Sequence, residues 1–405
     1  MADRIVIVGA GQAGAAMAAK LRALGCEGPL TLIGEEAAPP YQRPPLSKKY
    51  LLGEMEEARL YLRPQEFYAD QGIELKTGVA VQSIDRAAGE VVMSDGERIA
   101  YDKLALTTGS RPRLLPAAIG GDLGRVFPVR SLADVDAMAP EFQAGRRVLI
   151  VGGGYIGLEA AAVAAARGLD VTVVEMAERI LQRVASEATS DYFRDLHRSH
   201  GVNLLENTGL ERLSGGADVE RAVLTNGETV GVDFVLVGVG ILPNQELAEA
   251  AGLTIDNGIA VDGTGATSDP AIFSAGDCAS FPYEGRRIRL ESVQNAIDQA
   301  EAAAAAMLGE AVDYAPTPWF WSDQYDVKLQ IAGLNQGHDR VVARPGEGGA
   351  LSIWYYKGER LLAVDAMNDP RAYMVGKRLI EGEISPAPEE VADPAVELKS
   401  LMRRG

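Results

Sequence analysis

Short apolar runs alternate with helix-like stretches along the first part of the chain. Ile5–Val8 form a β-branched run, a glycine cluster follows, and an alanine-rich segment extends to about Leu24. A second strand is predicted over residues 30–36. Strand, loop, helix and strand within about 30 residues are typical of a βαβ unit with a parallel sheet. Residues 101–116 then predict a buried strand with a proline-marked exit.

The same order of elements returns in the middle of the chain. A strand is predicted from Arg147, a helix over residues 155–167 and a strand over 170–175. Residues 234–244 repeat the pattern of 101–116. The chain is therefore an internal repeat of a nucleotide-binding domain, with halves that start near residues 4 and 147. A short strand before Gly276 and a helix over residues 293–308 are predicted next.

The pattern changes after residue 316. All three tryptophans lie there, and two apolar runs around residues 357–359 predict a hairpin, followed by a helix over 371–381. We expect the Pro- and Glu-rich tail after Ile384 to be loosely packed up to a final short helix. Prolines between residues 39 and 45 should delay any helix until about Leu46, so that Lys48 lies at its start.

Two α/β domains of the Rossmann type and a smaller C-terminal domain follow from this pattern, and the chain length of 405 residues is compatible with them. The predicted boundaries are 1–112 with 242–316, then 113–241, then 317–405, the last being a smaller α+β domain. A net charge of −18 counts against nucleic acid as a partner. No apolar run reaches about 18 residues and no presequence is recognised, so we expect a cytoplasmic protein without a membrane segment.

The first glycine cluster has the spacing of a dinucleotide-binding loop. Gly9, Gly11 and Gly14 follow a strand and open a helix, and Glu35 lies at the end of the next strand. Glycines there allow a tight turn and a close approach of the backbone to a pyrophosphate, which the helix N-terminus attracts. An acidic residue at the strand end can accept a hydrogen bond from a ribose hydroxyl.

The second glycine cluster has the same spacing and the same neighbouring elements as the first. Gly152, Gly154 and Gly157 precede a helix, and Glu175 ends the following strand. A carboxylate there repels a 2′-phosphate and favours NADH over NADPH. Arginines at 179 and 183 leave NADPH open, because they hold a 2′-phosphate if they turn inward.

Five motifs in this order, namely the two loops, TTGSRP, GVGILPN and AGDCA, resemble the flavoproteins with two dinucleotide-binding domains and a glutathione-reductase-like fold. In that family the first loop binds FAD and the second binds the nicotinamide cofactor. The segments YQRPPLSKKYL and PWFWSDQYDVKLQIAG resemble NADH-dependent ferredoxin reductases of the putidaredoxin reductase type. Those enzymes supply cytochrome P450 or ring-hydroxylating dioxygenase systems.

The resemblance implies two sets of cofactor contacts and a catalytic pair, Lys48 and Glu159, beside the flavin N5. The implied FAD contacts are Gly9, Gly11, Ala13, Gly14, Glu35, Arg43, Lys48, Val81, Thr108, Gly109, Arg130, Gly276, Asp277, Val293 and Trp319. The implied NADH contacts are Gly152, Gly154, Tyr155, Ile156, Gly157, Glu159, Glu175 and Gly240. No metal ligands are predicted.

Cysteine usage separates this chain from related enzymes. Cys26 and Cys278 are far apart, and residues 41–48, where disulfide reductases and NADH peroxidases carry their redox cysteines, contain none. The flavin is therefore expected to pass electrons directly to an outside acceptor. The resemblance implies that this acceptor is a [2Fe–2S] ferredoxin, which takes electrons singly, and that the reductase is monomeric. Two alternatives stay open: a rubredoxin reductase, and a signalling flavoprotein similar to apoptosis-inducing factor.

Overall fold

The computed structural model describes residues 3–403, which group into two compact units. The first unit contains the chain up to residue 42, Glu56–Arg111 and Ile241–Pro316. The second contains Arg43–Met55, Pro112–Gly240 and the chain from Thr317 onward. The boundaries of the three predicted domains remain a prediction.

A five-stranded parallel sheet forms the centre of the first unit. Its strands lie in the spatial order Ile272–Ser274, Lys103–Leu106, Ile5–Val8, Leu30–Ile33 and Ile73–Lys76. Both faces of the central strand are covered, which is why Ile5–Val8 are apolar at every position. Ile5 and Ile7 face a core shared with the helices Gln12–Ala23 and Val293–Met307, whereas Val6 and Val8 face a second core.

Smaller elements complete the first unit. An antiparallel sheet contains Val81–Asp85, Glu90–Met93 and Arg98–Ala100, and another sheet contains Ile259–Ala260, Ala279–Tyr283 and Arg286–Ile288. The remaining helices are Gln65–Asp70, Glu246–Ala250 and the 3₁₀ turn Glu57–Arg59. Short strands, Ser110–Pro112 and Ile241–Pro243, lie where the chain passes from one unit to the other.

The second unit contains an equivalent parallel sheet. Its strands lie in the order Asn203–Leu205, Asp170–Val174, Arg147–Val151, Phe234–Val237 and Val126–Pro128. An antiparallel sheet of Leu210–Gly215, Val219–Leu224 and Thr229–Gly231 packs on one face. The accompanying helices are Leu132–Met138, Tyr155–Ala166 and Glu187–Ser199, with 3₁₀ turns Pro44–Ser47, Ala117–Ile119 and Ala139–Glu141.

The last part of the second unit is an antiparallel sheet with helices. The strands lie in the order Trp319–Gln324, Val327–Gly333, Arg360–Met367, Leu351–Lys357 and Arg340–Pro345. The predicted hairpin around Gly358 and the predicted helix, observed as Pro370–Glu381, are both present. Trp354 and Tyr356 are fully buried against that helix. Further helical turns are Glu347–Gly349, Pro388–Ala392 and Leu398–Arg403.

The prediction of a helix near Leu46 was wrong. Pro44–Ser47 form only a 3₁₀ turn, and the backbone leaves helical geometry at Lys48, with φ −135° and ψ −112°. The chain then continues in turns up to Gly53. The prolines lack an amide hydrogen and start a short turn, but the change of direction at Lys48 stops its extension into a leucine-rich helix.

The expectation of a loosely packed tail was also wrong. Val391 and Leu401 are buried in the C-terminal core. The guanidinium of Arg344, itself buried, donates hydrogen bonds to four tail carbonyls: Val391 O at 2.9 Å, Asp393 O at 2.8 Å, Pro394 O at 3.4 Å and Val396 O at 2.7 Å. A planar guanidinium with five donors suits such a cluster of carbonyls, and it fixes the tail to the sheet.

Replacing this arginine should release the tail. We expect Arg344→Met to lower the free energy of unfolding by about 3 kcal/mol, because buried carbonyls lose a charged donor, and to expose residues 391–396 to limited proteolysis. Arg340→Met is the matched control, since Arg340 forms an exposed ion pair with Glu389 (2.6 Å) of the kind that contributes about 0–1 kcal/mol. Equal melting temperatures of the two variants would contradict the assigned role of Arg344.

Among the helices in the described part of the chain, none has the length and apolar character needed to cross a membrane.

Candidate functional site

The first glycine loop leaves the central strand of the first unit. Gly9 has φ 112°, and a Cβ there would lie 2.2 Å from Thr107 O. A Cβ on Gly14 would lie 2.0 Å from Gly9 O. Glycine is therefore required at Gly9 by the positive φ and the end of the neighbouring strand, and at Gly14 by a carbonyl of the loop itself.

Gly11 differs from the other two glycines. Apart from Gly11 and its chain neighbours, no heavy atom of residues 3–403 lies within 4 Å of the position of its Cβ, and its backbone is extended. Gly11 is also the N-cap of the helix Gln12–Ala23, and no described side chain caps that helix. Free backbone N–H groups beside open space fit the pyrophosphate of a dinucleotide, because the helix N-terminus attracts an anion.

The other predicted FAD residues of the first unit meet at the same edge of the sheet. Thr108 and Gly109 follow the strand Lys103–Leu106, which flanks Ile5–Val8, and Gly276 and Asp277 follow the next strand, Ile272–Ser274. The carboxyl ends of parallel strands are the usual ligand-binding edge of an open α/β sheet. Glu35 lies two residues beyond its strand and is exposed, although the sequence predicted a longer strand.

Hydrogen bonds fix the segments at this edge. Thr108 Oγ1 donates to Asn244 O (2.6 Å), and Asn244 Nδ2 donates to Thr108 O (2.8 Å). Ser110 Oγ donates to Asp277 Oδ2 (2.7 Å). Gly276 N donates to Gln299 Oε1 (2.9 Å), and a Cβ on Gly276 would lie 3.0 Å from the Cβ of Ala13. The loop after the last strand is thus held against the first glycine loop.

Two predicted FAD residues are placed less distinctively. Val81 begins the strand Val81–Asp85, is half-buried and packs on an apolar core. Val293 is the first residue of the helix Val293–Met307 and is also half-buried. The geometry of each fits an apolar packing residue as well as a cofactor contact.

The second glycine loop repeats the first in the second unit. Gly152 has φ 112°, and its Cβ would lie 2.3 Å from Gly238 O. A Cβ on Gly157 would lie 2.1 Å from Gly152 O. For Gly154, the N-cap of the helix Tyr155–Ala166, no described atom lies within 4 Å of that position. The middle glycine again leaves open space, so this loop fits a second pyrophosphate.

Glu175 lies directly against the second loop. Its Oε2 accepts from Gly153 N (2.7 Å) and its Oε1 accepts from Ala177 N (2.8 Å). Each carboxylate oxygen keeps capacity for a further hydrogen bond, as a ribose hydroxyl requires. Arg179 turns into the fold and donates to Ala185 O and Ser190 Oγ, whereas Arg183 is exposed.

Gly240, another predicted NADH contact, has a positive φ of 100° and lies near Arg183. A Cβ there would lie 3.6 Å from Arg183 Nη2. Of the two arginines that left NADPH open, Arg183 is therefore the one placed near predicted NADH contacts.

Removing the carboxylate of Glu175 should weaken the preference for NADH. We expect Glu175→Ala to lower the ratio of kcat/KM for NADH to that for NADPH about tenfold, the equivalent of about 1.4 kcal/mol of discrimination. Glu178→Ala removes an exposed carboxylate from the same turn and serves as the matched control. An unchanged ratio in Glu175→Ala would show that this carboxylate does not contact the ribose.

Lys48 and Glu159 meet within the second unit. Lys48 Nζ lies 3.1 Å from Glu159 Oε1 and 3.2 Å from Asp323 Oδ2. Ser322 Oγ donates to Glu159 Oε1 (2.8 Å), and Ser47 Oγ donates to Glu159 Oε2 (3.1 Å). The carboxylate of Glu159 is thus held by one ammonium and two hydroxyls.

Burial governs the electrostatics of this cluster. It raises the pKa of Glu159, while the charge of Lys48 and the hydrogen bonds from Ser322 and Ser47 act in the opposite direction. A carboxylate that is 8% exposed is strongly dependent on such partners to remain ionised. Three residues of the cluster were not predicted from the sequence: Ser47 and Ser322, which contact Glu159, and Asp323, which contacts Lys48. All three lie in the two segments that carry the resemblance to ferredoxin reductases.

The remaining predicted residues lie in the second unit. Arg43 Nη1 donates to Arg130 O (2.7 Å). The ring centroid of Trp319 lies 5.6 Å from that of Trp321 and 5.4 Å from Lys377 Nζ. Tyr155 begins the second loop's helix, and burial raises the pKa of its phenol, whereas Ile156 beside it is 41% exposed.

Comparison with known proteins agrees with the two loops and the C-terminal sheet. Residues 3–300 match the profile of the pyridine nucleotide-disulphide oxidoreductases, and residues 319–402 match the Reductase C-terminal domain. The chain belongs to the pyridine nucleotide-disulphide oxidoreductase family. Its fold is that of this family's reductases, with two parallel-sheet regions and a C-terminal antiparallel sheet.

Relatives within the family match over almost the full length. The chain is 42% identical to rhodocoxin reductase of Rhodococcus erythropolis, over 99% of this chain and 94% of that protein. It is 41% identical to the ferredoxin–NAD(+) reductase component of the anthranilate 1,2-dioxygenase system of Burkholderia cepacia, over 99% and 100%. Putidaredoxin reductase, in the crystal structure of its covalent complex with putidaredoxin, superimposes with a TM-score of 0.96 at 39% identity, over 99% and 98% of the two chains.

Unlike the members that give this family its name, this chain has no pair of cysteines positioned for disulfide exchange. Cys278 is buried beside Ser274 and Leu106 O, and Cys26 packs at the edge of an apolar core. Both are unpaired, and neither lies in the segment 41–48. The family assignment therefore supplies an oxidoreductase fold with FAD and a nicotinamide cofactor, and the residues exclude a thiol relay.

Proposed function

We propose that this chain is an FAD-dependent NADH:ferredoxin reductase. It takes two electrons from NADH and delivers them singly to a [2Fe–2S] ferredoxin that serves a cytochrome P450 or a ring-hydroxylating dioxygenase. The observation that carries the proposal is the pair of glycine loops, each with open space at its middle glycine, in a chain without redox cysteines. The relatives named for ferredoxin reduction support the acceptor class.

Each loop would bind one dinucleotide. At Gly11 the uncapped helix N-terminus would contact the FAD pyrophosphate, with Glu35 at the adenosine ribose and Asp277 at the ribityl chain. At Gly154 the second helix would bind the pyrophosphate of NADH, and Glu175 would accept from its adenosine ribose. The two loops thereby hold donor and acceptor as separate ligands of one chain, which removes the entropic cost of their encounter.

The Lys48–Glu159 pair would act on the isoalloxazine. FAD, when bound, accepts a hydride from NADH and releases electrons one at a time. Lys48 supplies a positive charge where that electron density arrives, and Glu159 holds the ammonium in place through the 3.1 Å contact. Ser47 and Ser322 keep the carboxylate oriented, so the ammonium has a defined position.

The proposal is tested by separating reduction from delivery. The FAD-loaded protein is mixed anaerobically with NADH. Loss of the flavin absorbance band at about 450 nm is then followed by stopped flow. The reduced protein is then offered [2Fe–2S] ferredoxins, a rubredoxin, or O₂ alone. Fast reduction of a ferredoxin, with slow reaction towards rubredoxin and O₂, is expected.

Other outcomes point to other functions. Reduction of rubredoxin alone would identify a rubredoxin reductase. Slow reduction by NADH, with no transfer to any protein acceptor, would favour a signalling flavoprotein. A protein that stays colourless after FAD is supplied would overturn the assignment of the first loop.

We further propose a cytoplasmic location and a monomeric state. Light scattering at several protein concentrations tests the monomer, and fractionation of cells that express the chain tests the location. A concentration-dependent mass or a membrane-bound fraction would refute the respective statement.

A further inference from the structure

A line of buried polar side chains extends from Glu159 away from Lys48. Ser322 Oγ contacts Glu159 Oε1 at 2.8 Å, and Gln324 Nε2 contacts Ser322 Oγ at 3.2 Å. His197 Nε2 lies 2.8 Å from Gln324 Oε1, and Tyr325 OH lies 3.1 Å from His197 Nδ1. Ser322, Gln324 and His197 are all at most 1% exposed.

The orientation of the Gln324 amide sets the direction of the hydrogen bonds in this line. The amide oxygen of Gln324 only accepts, so His197 Nε2 carries a hydrogen and donates to it. Burial lowers the pKa of His197 to about 4, so the ring is neutral and Nδ1 accepts from Tyr325. The amide nitrogen of Gln324 only donates, which leaves the single Ser322 hydrogen for the carboxylate of Glu159.

All four bonds therefore donate towards Glu159. Hydrogen bonds arranged in one direction polarise one another, and the effect is larger in a dry interior than in water. The line ends on one carboxylate oxygen, while Ser47 occupies the other. Donors aligned in this way favour the ionised carboxylate, which is the form that attracts Lys48.

The elements that carry the line are rigid. Ser322 and Gln324 alternate on the strand Trp319–Gln324 and therefore share one of its faces. His197 lies in the last turn of the helix Glu187–Ser199. Tyr325 has φ 55°, an unfavourable value for a tyrosine, and its ring stacks on His200 at 3.7 Å between centroids. Such a backbone persists only where surrounding contacts fix it.

We propose that Gln324 and His197 are positioning residues for the Lys48–Glu159 pair. Through the hydroxyl of Ser322 they fix the orientation and the ionised state of Glu159, and so the position of the Lys48 ammonium. The inference rests on the proposed function for its effect on hydride transfer. The direction of the hydrogen bonds is independent of that function.

The first experiment measures the tautomer of His197 in the FAD-loaded protein. The chain has three histidines, so ¹⁵N-labelled imidazoles give a simple long-range ¹H–¹⁵N spectrum, and His197→Gln identifies the signal of interest. We expect neutral His197 with hydrogen on Nε2 at pH values near 7. Hydrogen on Nδ1 alone would reverse the line and overturn the inference without any bearing on the proposed function.

The second experiment measures hydride transfer and NADH affinity separately. Gln324→Met and His197→Phe remove the donors with little change in volume, and His197→Gln keeps an amide donor and acceptor. By analogy with the outer-shell partners of metal ligands, we expect the limiting rate of flavin reduction to fall about tenfold in the first two variants. The Kd for NADH should stay within twofold, and His197→Gln should recover most of the rate.

Phe193→Leu is the matched control, because Phe193 is fully buried on the same helix and lies outside the line. A merely structural role would lower the melting temperature of the control and of His197→Phe alike and leave both limiting rates unchanged.

Wild-type rates in Gln324→Met would overturn the inference. If Gln324→Met does not fold, the comparison of His197→Phe with His197→Gln decides. Failure of the proposed function itself would appear in the wild type, as absence of reduction by NADH.

Discussion

Gly11→Val should yield a folded protein that no longer retains FAD. The backbone at Gly11 is extended, which valine adopts without strain, and no described atom lies within 4 Å of its Cβ position. The added side chain would therefore fill only the space proposed for the pyrophosphate. We expect FAD occupancy after purification, measured as the ratio of flavin to protein absorbance, to fall at least about tenfold, the equivalent of about 1.4 kcal/mol or more of lost binding.

A second variant separates ligand exclusion from misfolding. Gly9→Ala places a Cβ 2.2 Å from Thr107 O at φ 112°, so it should lower the melting temperature of the apoprotein. Gly11→Val should leave the melting temperature of the apoprotein close to that of the wild type. Full flavin occupancy in Gly11→Val would refute the placement of the pyrophosphate at this loop.

Lys48→Met should slow hydride transfer and make stability depend on pH. The buried Glu159 keeps its two hydroxyl donors but loses its ammonium partner. Removal of one preorganised electrostatic contact typically costs about 10²–10³ in rate. We expect the limiting rate of flavin reduction by NADH to fall about 100-fold, whereas Lys49→Met, at an exposed neighbouring position, should leave it unchanged.

The direction of the pH effect follows from the raised pKa of Glu159. Burial raises that pKa in the folded protein, and loss of Lys48, the largest opposing contribution, raises it further. In the unfolded chain the carboxyl ionises freely above its ordinary pKa, so the variant should lose stability as pH rises from about 4 towards the folded pKa. Melting temperatures of Lys48→Met and the wild type should be most similar at acidic pH. A difference that narrows as pH rises would contradict this description of the cluster.

The two nucleotide loops were predictable because their causes are local. Gly9 and Gly152 need a positive φ, and Gly14 and Gly157 need space beside a carbonyl of their own loop. These requirements arise from residues close together in the chain, so they are visible in the sequence as the spacing of the glycines. The buried strands and the helices that follow each loop were predicted for the same reason and agree with the structure to within a few residues.

The surroundings of Glu159 could not be predicted in the same way. Ser47 and Ser322 are separated from it by 112 and 163 residues, and His197 is separated from Gln324 by 127. Serine, glutamine and histidine have no periodic pattern that marks them as buried partners. Only the folded backbone brings them together, and Lys48 and Glu159 could be predicted only through a resemblance, not through their contacts.

The composition of the tail predicted loose packing, which was wrong for a physical reason. Residues after Ile384 are rich in proline and glutamate, which is typical of weakly packed segments. Their backbone carbonyls, rather than their side chains, make the decisive contacts with Arg344. Carbonyls are the same at every position, so the residue types of the tail do not reveal its contacts with Arg344.

The uncapped helices at Gly11 and Gly154 have a practical consequence for protein engineering. Serine or aspartate at an N-cap is favoured over glycine by a few tenths of a kcal/mol, and both positions have room for a side chain. Selection for thermal stability alone would therefore enrich serine or aspartate at these two positions. The selected proteins would be stable but unable to bind either dinucleotide. A library built on this chain should keep these two glycines constant, because a thermal screen cannot detect what their replacement destroys.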